Sequence, residues 1–170
     1  GRVVLQSASV PKIVGRYHEE FSSGEKKVAG SGEAEVLAAE VIGTATGEIP
    51  QVSFGESLKL RFHLRITSPC RFVGMRLAIW NQDQRAVLDI LHHDGTSFSW
   101  GNDHQELTIT CNLPAMHLAP GKHTISVHVF DDKKIREFCR LDNAITFIMG
   151  HHLTTGAEVL ELAEWQIEAP

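Results

Sequence analysis

With 170 residues, 42% of them hydrophobic and 22% charged, the chain has the size and composition of one globular domain, which excludes disorder, collagen-like repeats and a disulfide scaffold. Its 16 basic and 21 acidic residues give a formal charge of -5, against the basic surplus expected of a nucleic-acid binder. All 16 Lys and Arg lie in residues 1–140 beside 16 acids, whereas residues 141–170 hold Asp142, Glu158, Glu161, Glu164 and Glu168 and no base.

No apolar run reaches the roughly 20 residues that span a bilayer, and the N-terminus lacks the apolar core of a secretory signal. Cys70, Cys111 and Cys139 are odd in number and without CxxC spacing, which points to thiols in a reducing compartment, the cytoplasm by default. The chain begins at Gly1 rather than Met, as a fragment of a longer protein would.

Residues 1–32 have few periodic apolar positions and end in Ser22-Ser23-Gly24-Glu25-Lys26-Lys27 and Gly30-Ser31-Gly32, the composition of a linker or arm, so the domain is placed at 33–170. From Glu33 the period becomes two. Ala34, Val36, Ala39 and Val41 share one buried face only if a bulge adds a residue between Val36 and Ala39. Next, Leu58, Leu60, Phe62, Leu64 and Ile66 alternate with Lys59, Arg61, His63 and Arg65, which demands a strand buried on one face. The same alternation recurs over residues 73–80, 107–113 and 125–129, with turn signals between at Gly43 to Gly47, Gly55-Glu56, Asn81 to Gln84, Asp94-Gly95, Pro120-Gly121 and Asp131-Asp132. After a loop at His151-His152, Ala163, Trp165 and Ile167 alternate again in the acidic tail. No helical face exceeds two turns. The expected fold is an all-β, immunoglobulin-like antiparallel two-sheet sandwich of about eight or nine strands.

The order and spacing of several short signals resemble one family. These are Gly30-Ser31-Gly32-Glu33-Ala34-Glu35-Val36, Gly47, Phe54-Gly55-Glu56-Ser57-Leu58-Lys59-Leu60, Val73-Gly74-Met75-Arg76-Leu77, Leu118-Ala119-Pro120-Gly121-Lys122-His123-Thr124-Ile125-Ser126-Val127 and Asp142-Asn143-Ala144. Across roughly residues 30–168 they are similar to the C-terminal carbohydrate-binding domain of Wzt, the ATPase subunit of bacterial ABC transporters that export O-antigen polysaccharide. The resemblance implies a cytoplasmic domain, peripheral to the inner membrane through the transporter complex, that recognises the terminal, non-reducing end of a lipid-linked glycan. It also implies a homodimer and a transmembrane partner subunit. No GxxxxGK[ST] loop is present to cradle nucleotide phosphates, so residues 1–32 would connect to an absent ATPase domain.

Sugars are held by aromatic rings against their C–H faces and by polar side chains on their hydroxyls. In residues 73–80 the set opposite the core is Arg76, Ala78 and Trp80; the strand expected beside it presents Thr124, Ser126, His128 and Phe130. Trp80 and Phe130 would stack, Arg76 and His128 would meet polar or anionic groups, and Ser126 a hydroxyl. The competing reading makes Trp80 a cover for the sheet rim or a dimer contact. A secondary face, Lys59, Arg61, His63 and Arg65 beside Thr108, Thr110 and Asn112, could receive a phosphate or acidic sugar, although charged outer faces are routine. A third candidate is the loop carrying His92, His93, Asp94, Trp100 and His104, dense in binding side chains. Adjacent histidines diverge on a strand, and neither HExxH nor DxDxDG occurs, so no metal and no cofactor are expected.

No enzyme signature emerges. There is no GxSxG elbow, turns explain Asp89, Asp94 and Asp103 as readily as a catalytic pair does, and Cys111 falls in the buried set of its strand. The functional expectation is non-catalytic glycan recognition that gives an exporter its substrate specificity. The alternative is a dimerisation or docking sandwich that binds no glycan. Trp165 needs an edge to bury against, its own or that of a second copy, which makes strand exchange one route to the dimer.

Overall fold

A computed structural model describes residues 27–44, 48–67, 71–91, 98–99, 105–131, 135–150, 157 and 159. Among these the chain forms β1 (Val28–Ala29), β2 (Ala34–Val41), β3 (Gln51–Ser53), β4 (Leu58–Ile66), β5 (Arg71–Asn81), β6 (Ala86–Leu91), β7 (Phe98–Ser99), β8 (Gln105–Leu113), β9 (Gly121–Asp131) and β10 (Glu137–Gly150). Eight of these are three residues or longer, in line with the expected sandwich, and β1 and β7 are two-residue pairings. No helix among the described residues is long and apolar enough to cross a membrane.

One sheet runs β2-β4-β8. The other has seven strands along the path β1-β10-β9-β5-β6, with β3 also on β10 and β7 also on β5. Every pairing is antiparallel except the three-residue β3–β10 contact. The alternation in β4 produces this arrangement: Leu58, Leu60, Phe62, Leu64 and Ile66 are at most 2% exposed, and the basic positions between them face away. They pack against Met75, Leu77 and Ile79 of β5, Ile125, Val127 and Val129 of β9, and Leu141, Ile145, Phe147 and Met149 of β10, in one continuous core. Each large apolar side chain buried there contributes about 1.5–3 kcal/mol.

The bulge in β2 is present. Val36 pairs with Leu64 but Ala38 with His63, so Leu37 is the extra residue, and Ala39 and Val41 return to the core side opposite Phe62 and Leu60. At the N-terminal boundary the sheet starts earlier than Glu33. Val28 and Ala29 pair with Leu141 and Arg140, and the Ser31 and Gly32 amides donate to the carbonyls of Glu137 and Phe138. Backbone bonding makes this strand, since Val28 stays 72% exposed, and that is why hydrophobic periodicity did not reveal it. Residues 1–26 and the tail with Trp165 lie outside the described residues; from the tail region, Val159 forms an isolated bridge to Leu118.

Candidate functional site

The register of β5 on β9 assembles the first candidate set. Gly74 lies opposite Phe130, Arg76 opposite His128, Ala78 opposite Ser126 and Trp80 opposite Thr124. Since Leu77, Ile79, Val127 and Val129 point into the core, the alternate residues of both strands occupy the outer face of the seven-stranded sheet. The expected adjacency of these strands is therefore observed, and Trp80, Arg76, Ser126, His128 and Phe130 form one patch.

Solvent exposure differs from the expectation. Trp80, Arg76 and Phe130 are half-buried, but Ser126 and His128 are 2% and 6% exposed and do not project into water. Ala78 and Thr124 are buried as well. Ala78 and Ser126 are small and lie side by side, so they form a low floor, with the indole at one end and the larger Arg76, His128 and Phe130 at the other.

The polar groups of this face divide into two kinds. The basic and titratable groups are paired. Arg76 grips Asp89 of β6 through both ends of its fork, Nε to Oδ1 at 3.0 Å and Nη2 to Oδ2 at 2.8 Å. His128 Nδ1 lies 2.6 Å from Glu137 Oε1 of β10, a contact that the ring nitrogen makes as donor when the carboxylate is ionised. The same imidazole stacks on Phe130 with ring centroids 6.0 Å apart and planes 4° from parallel. Opposite His128 on β10, Arg140 donates to Asp142 at 2.8 Å, and that hydrogen bond raises the guanidinium pKa further. By contrast, Trp80 Nε1, Thr124 Oγ1 and His128 Nε2 are buried without a hydrogen-bond partner.

The secondary face forms as expected beside β8, with Lys59 opposite Asn112, Arg61 opposite Thr110, His63 opposite Thr108 and Arg65 opposite Glu106. It is not a free row of cations. Arg61 pairs with Glu40 at 2.9 Å, Arg65 with Glu106 at 2.8 Å and Glu35 at 3.3 Å, and His63 with Glu106 at 3.4 Å. The Arg65 hydrogen bond holds the Glu106 carboxyl below its ordinary range and in turn raises Arg65. This geometry favours the reading as a charge-balanced, solvated face.

The third candidate, His92, His93, Asp94, Trp100 and His104, lies outside the described residues. Among the described residues no group of three or more His, Cys, Asp or Glu is placed to hold a metal. Cys111 is half-buried and Cys139 buried, and burial raises both thiol pKa values. A polar cleft of about 300 Å³ is lined among others by Val41, Thr44, Pro50, Gln51, Glu56 and Lys59.

Three contributors were not singled out from sequence. Thr124 was legible as part of the outward set of β9. Asp89 and Glu137 were not, because each belongs to a neighbouring strand and only register brings it to Arg76 or His128.

A family model described as the Wzt C-terminal domain matches residues 25–157. Among solved structures, a crystal structure of the C-terminal domain of wzt superposes with a TM-score of 0.69 at 12% identity, over 85% of this chain and 89% of that one. A Niemann-Pick type C2 protein from Japanese carpenter ant superposes with a TM-score of 0.52 at 8% identity, over 75% of this chain and 100% of that one. At these identities the structural matches speak for the fold alone. No curated protein matches the sequence.

Proposed function

Because this chain belongs to the Wzt C-terminal domain family, we propose that it is the recognition module of an O-antigen ABC exporter, binding the terminal, non-reducing end of a lipid-linked polysaccharide without doing chemistry on it. The observation that carries the reading is the β5–β9 register, which sets the half-buried rings of Trp80 and Phe130 on one face with the polar side chains of Thr124, Ser126 and His128. Rings supply flat apolar surface for sugar C–H faces, and the polar side chains supply directed hydrogen bonds. A rigid sheet holds both in place, so little ordering cost falls on binding.

In this reading the domain works on the cytoplasmic side as a homodimer, with exchange of the C-terminal strand as one route to it, and docks through its parent subunit on a transmembrane partner. The decisive experiment is calorimetric titration of the 170-residue chain with the polysaccharide of its own source, with and without the terminal modification. Saturable binding that depends on the terminus is expected. Absence of binding to either form overturns glycan recognition and leaves a docking or dimerisation role. Light scattering at tens of micromolar should give twice the chain mass, and a monomer there would remove the dimer from the proposal.

A further inference from the structure

The outer face of the seven-stranded sheet also carries information about the chemical class of its ligand. Trp80 Nε1, Thr124 Oγ1 and His128 Nε2 are all buried and all unpartnered, and Thr124 and His128 are each only 6% exposed. Buried polar atoms are normally satisfied, and a cluster of exceptions on one face marks groups held ready for something else. We infer that this face takes an uncharged oligosaccharide of at least two residues, bound through its hydroxyls, an inference that rests on the glycan-recognition reading above.

Spacing sets the length. Trp80 stands opposite Thr124, while His128 lies four residues further along β9, about 13 Å away at the usual rise of an extended strand. One pyranose ring cannot satisfy both ends. Hydrogen-bond chemistry sets the functional group. The indole N–H only donates, and the threonine hydroxyl does both. His128 Nε2 accepts in the neutral ring and donates in the charged one. A hydroxyl, which donates and accepts, satisfies all three atoms in either state of the imidazole. A carboxylate or phosphate oxygen, which only accepts, leaves the neutral imidazole unpaired.

Charge closes the argument. Both guanidinium groups of this face already have carboxylate partners, Arg76 with Asp89 and Arg140 with Asp142, and the His128 imidazole has Glu137. An anionic sugar would meet a carboxylate beside every cation it approached and would have to displace one to gain a fork of its own. A neutral chain leaves all three pairs intact. Its C–H faces lie over the half-buried rings of Trp80 and Phe130.

The test uses the 170-residue chain and a panel of uncharged di- to tetrasaccharides, each matched to a counterpart of the same backbone bearing a uronic acid or a phosphate. Binding is read by calorimetry at about 50 and 500 mM salt, where exposed charge interactions differ strongly in range. The expected result is saturable binding of at least one neutral member, with affinity equal within about twofold at the two salts and a loss of roughly tenfold on adding the acid group. Thr124→Val keeps the side-chain shape and removes the unpaired hydroxyl. It should weaken neutral binding roughly tenfold while the melting temperature holds or rises. Tighter, salt-sensitive binding of the acidic counterparts would overturn this inference and leave glycan recognition standing. Unchanged affinity in Thr124→Val would remove the site from this face. No binding to any member of either class, in a chain that binds the polysaccharide of its own source, would overturn this inference alone.

Discussion

Gly30 joins the N-terminal arm to the sheet, and Gly30→Ala tests how. Its φ of +115° lies where side chains are rarely accommodated, and an added Cβ would sit 2.6 Å from the Phe138 carbonyl oxygen and 2.8 Å from Cys139 Cα. Both neighbours are backbone of β10 and cannot swing aside. Keeping the strand in place therefore costs about 1–2 kcal/mol of backbone strain before any steric clash is added. Lifting β1 instead gives up the hydrogen bonds Ser31 N to Glu137 O, Gly32 N to Phe138 O and Asp142 N to Lys27 O, of 2.9–3.0 Å each. At about 1 kcal/mol apiece, with the β1 ladder to Leu141 and Arg140 also lost but the ordering entropy of the arm recovered, release limits the loss to roughly 2–3 kcal/mol. For a domain of this size that lowers the melting temperature by roughly 5–10 °C. Hydrogen exchange at the Asp142 amide reads the mechanism directly, because its acceptor belongs to the arm. Gly32→Ala is the control: its φ is +93° but nothing lies within 4 Å of the added carbon, so strain alone should act and Asp142 should stay protected. Glu137 ties the arm to the candidate site, its carbonyl accepting from Ser31 and its carboxylate holding His128, so Gly30→Ala should also weaken glycan binding. A Gly30→Ala protein that melts with the parent and keeps Asp142 protected would refute this account.

Phe62→Ala, at a fully buried centre of β4, should cost about 3–5 kcal/mol in urea unfolding, and a loss below about 1 kcal/mol would mean that the two sheets do not pack there. The Ser31 hydroxyl, followed by a backbone amide at Glu33 and then the charge of Arg136, holds the Glu33 carboxyl below its ordinary value, and Arg65 does the same for Glu106. Folded values below the unfolded ones stabilise the protein above about pH 4.5, and that contribution is lost as pH falls through the lowered values. Glu33→Gln with Glu106→Gln should therefore narrow the stability gap between pH 7 and pH 3, modestly because the Glu106 side chain is 48% exposed and screened by solvent. Trp80→Ala should reduce glycan affinity at least severalfold with a native circular dichroism spectrum, whereas full affinity would place the site elsewhere. Burial raises the Cys139 thiol pKa, so alkylation at pH 8 should be slow in the native protein and fast in guanidinium, and rapid native labelling would show the β1–β10 edge to be open.

The features legible in the sequence were those that one strand settles by itself. Alternation in β4 named its five buried residues, and the interrupted alternation of β2 required a bulge, found at Leu37. Where no periodic side-chain pattern existed, as in Val28 and Ala29, the strand was invisible, because its partner supplies the hydrogen bonds. The candidate site divides the same way. A period of two places Arg76 and Trp80 on one face and Ser126, His128 and Phe130 on one face whatever lies beside them.

Which of these groups are free to bind is a different kind of fact. Alternation leaves the basic row of β4 open both to an anion and to a solvated role until Glu35, Glu40 and Glu106 arrive from β2 and β8 to pair Arg61, His63 and Arg65. Arg76 and His128 read as cationic contacts until Asp89 and Glu137 occupy them. Covalent alternation thus determined the family of faces this protein can present, since side-chain direction follows from backbone geometry alone. Tertiary structure decided what each face can hold, because pairing a charge or stranding a hydroxyl depends on neighbours that only strand register brings into contact.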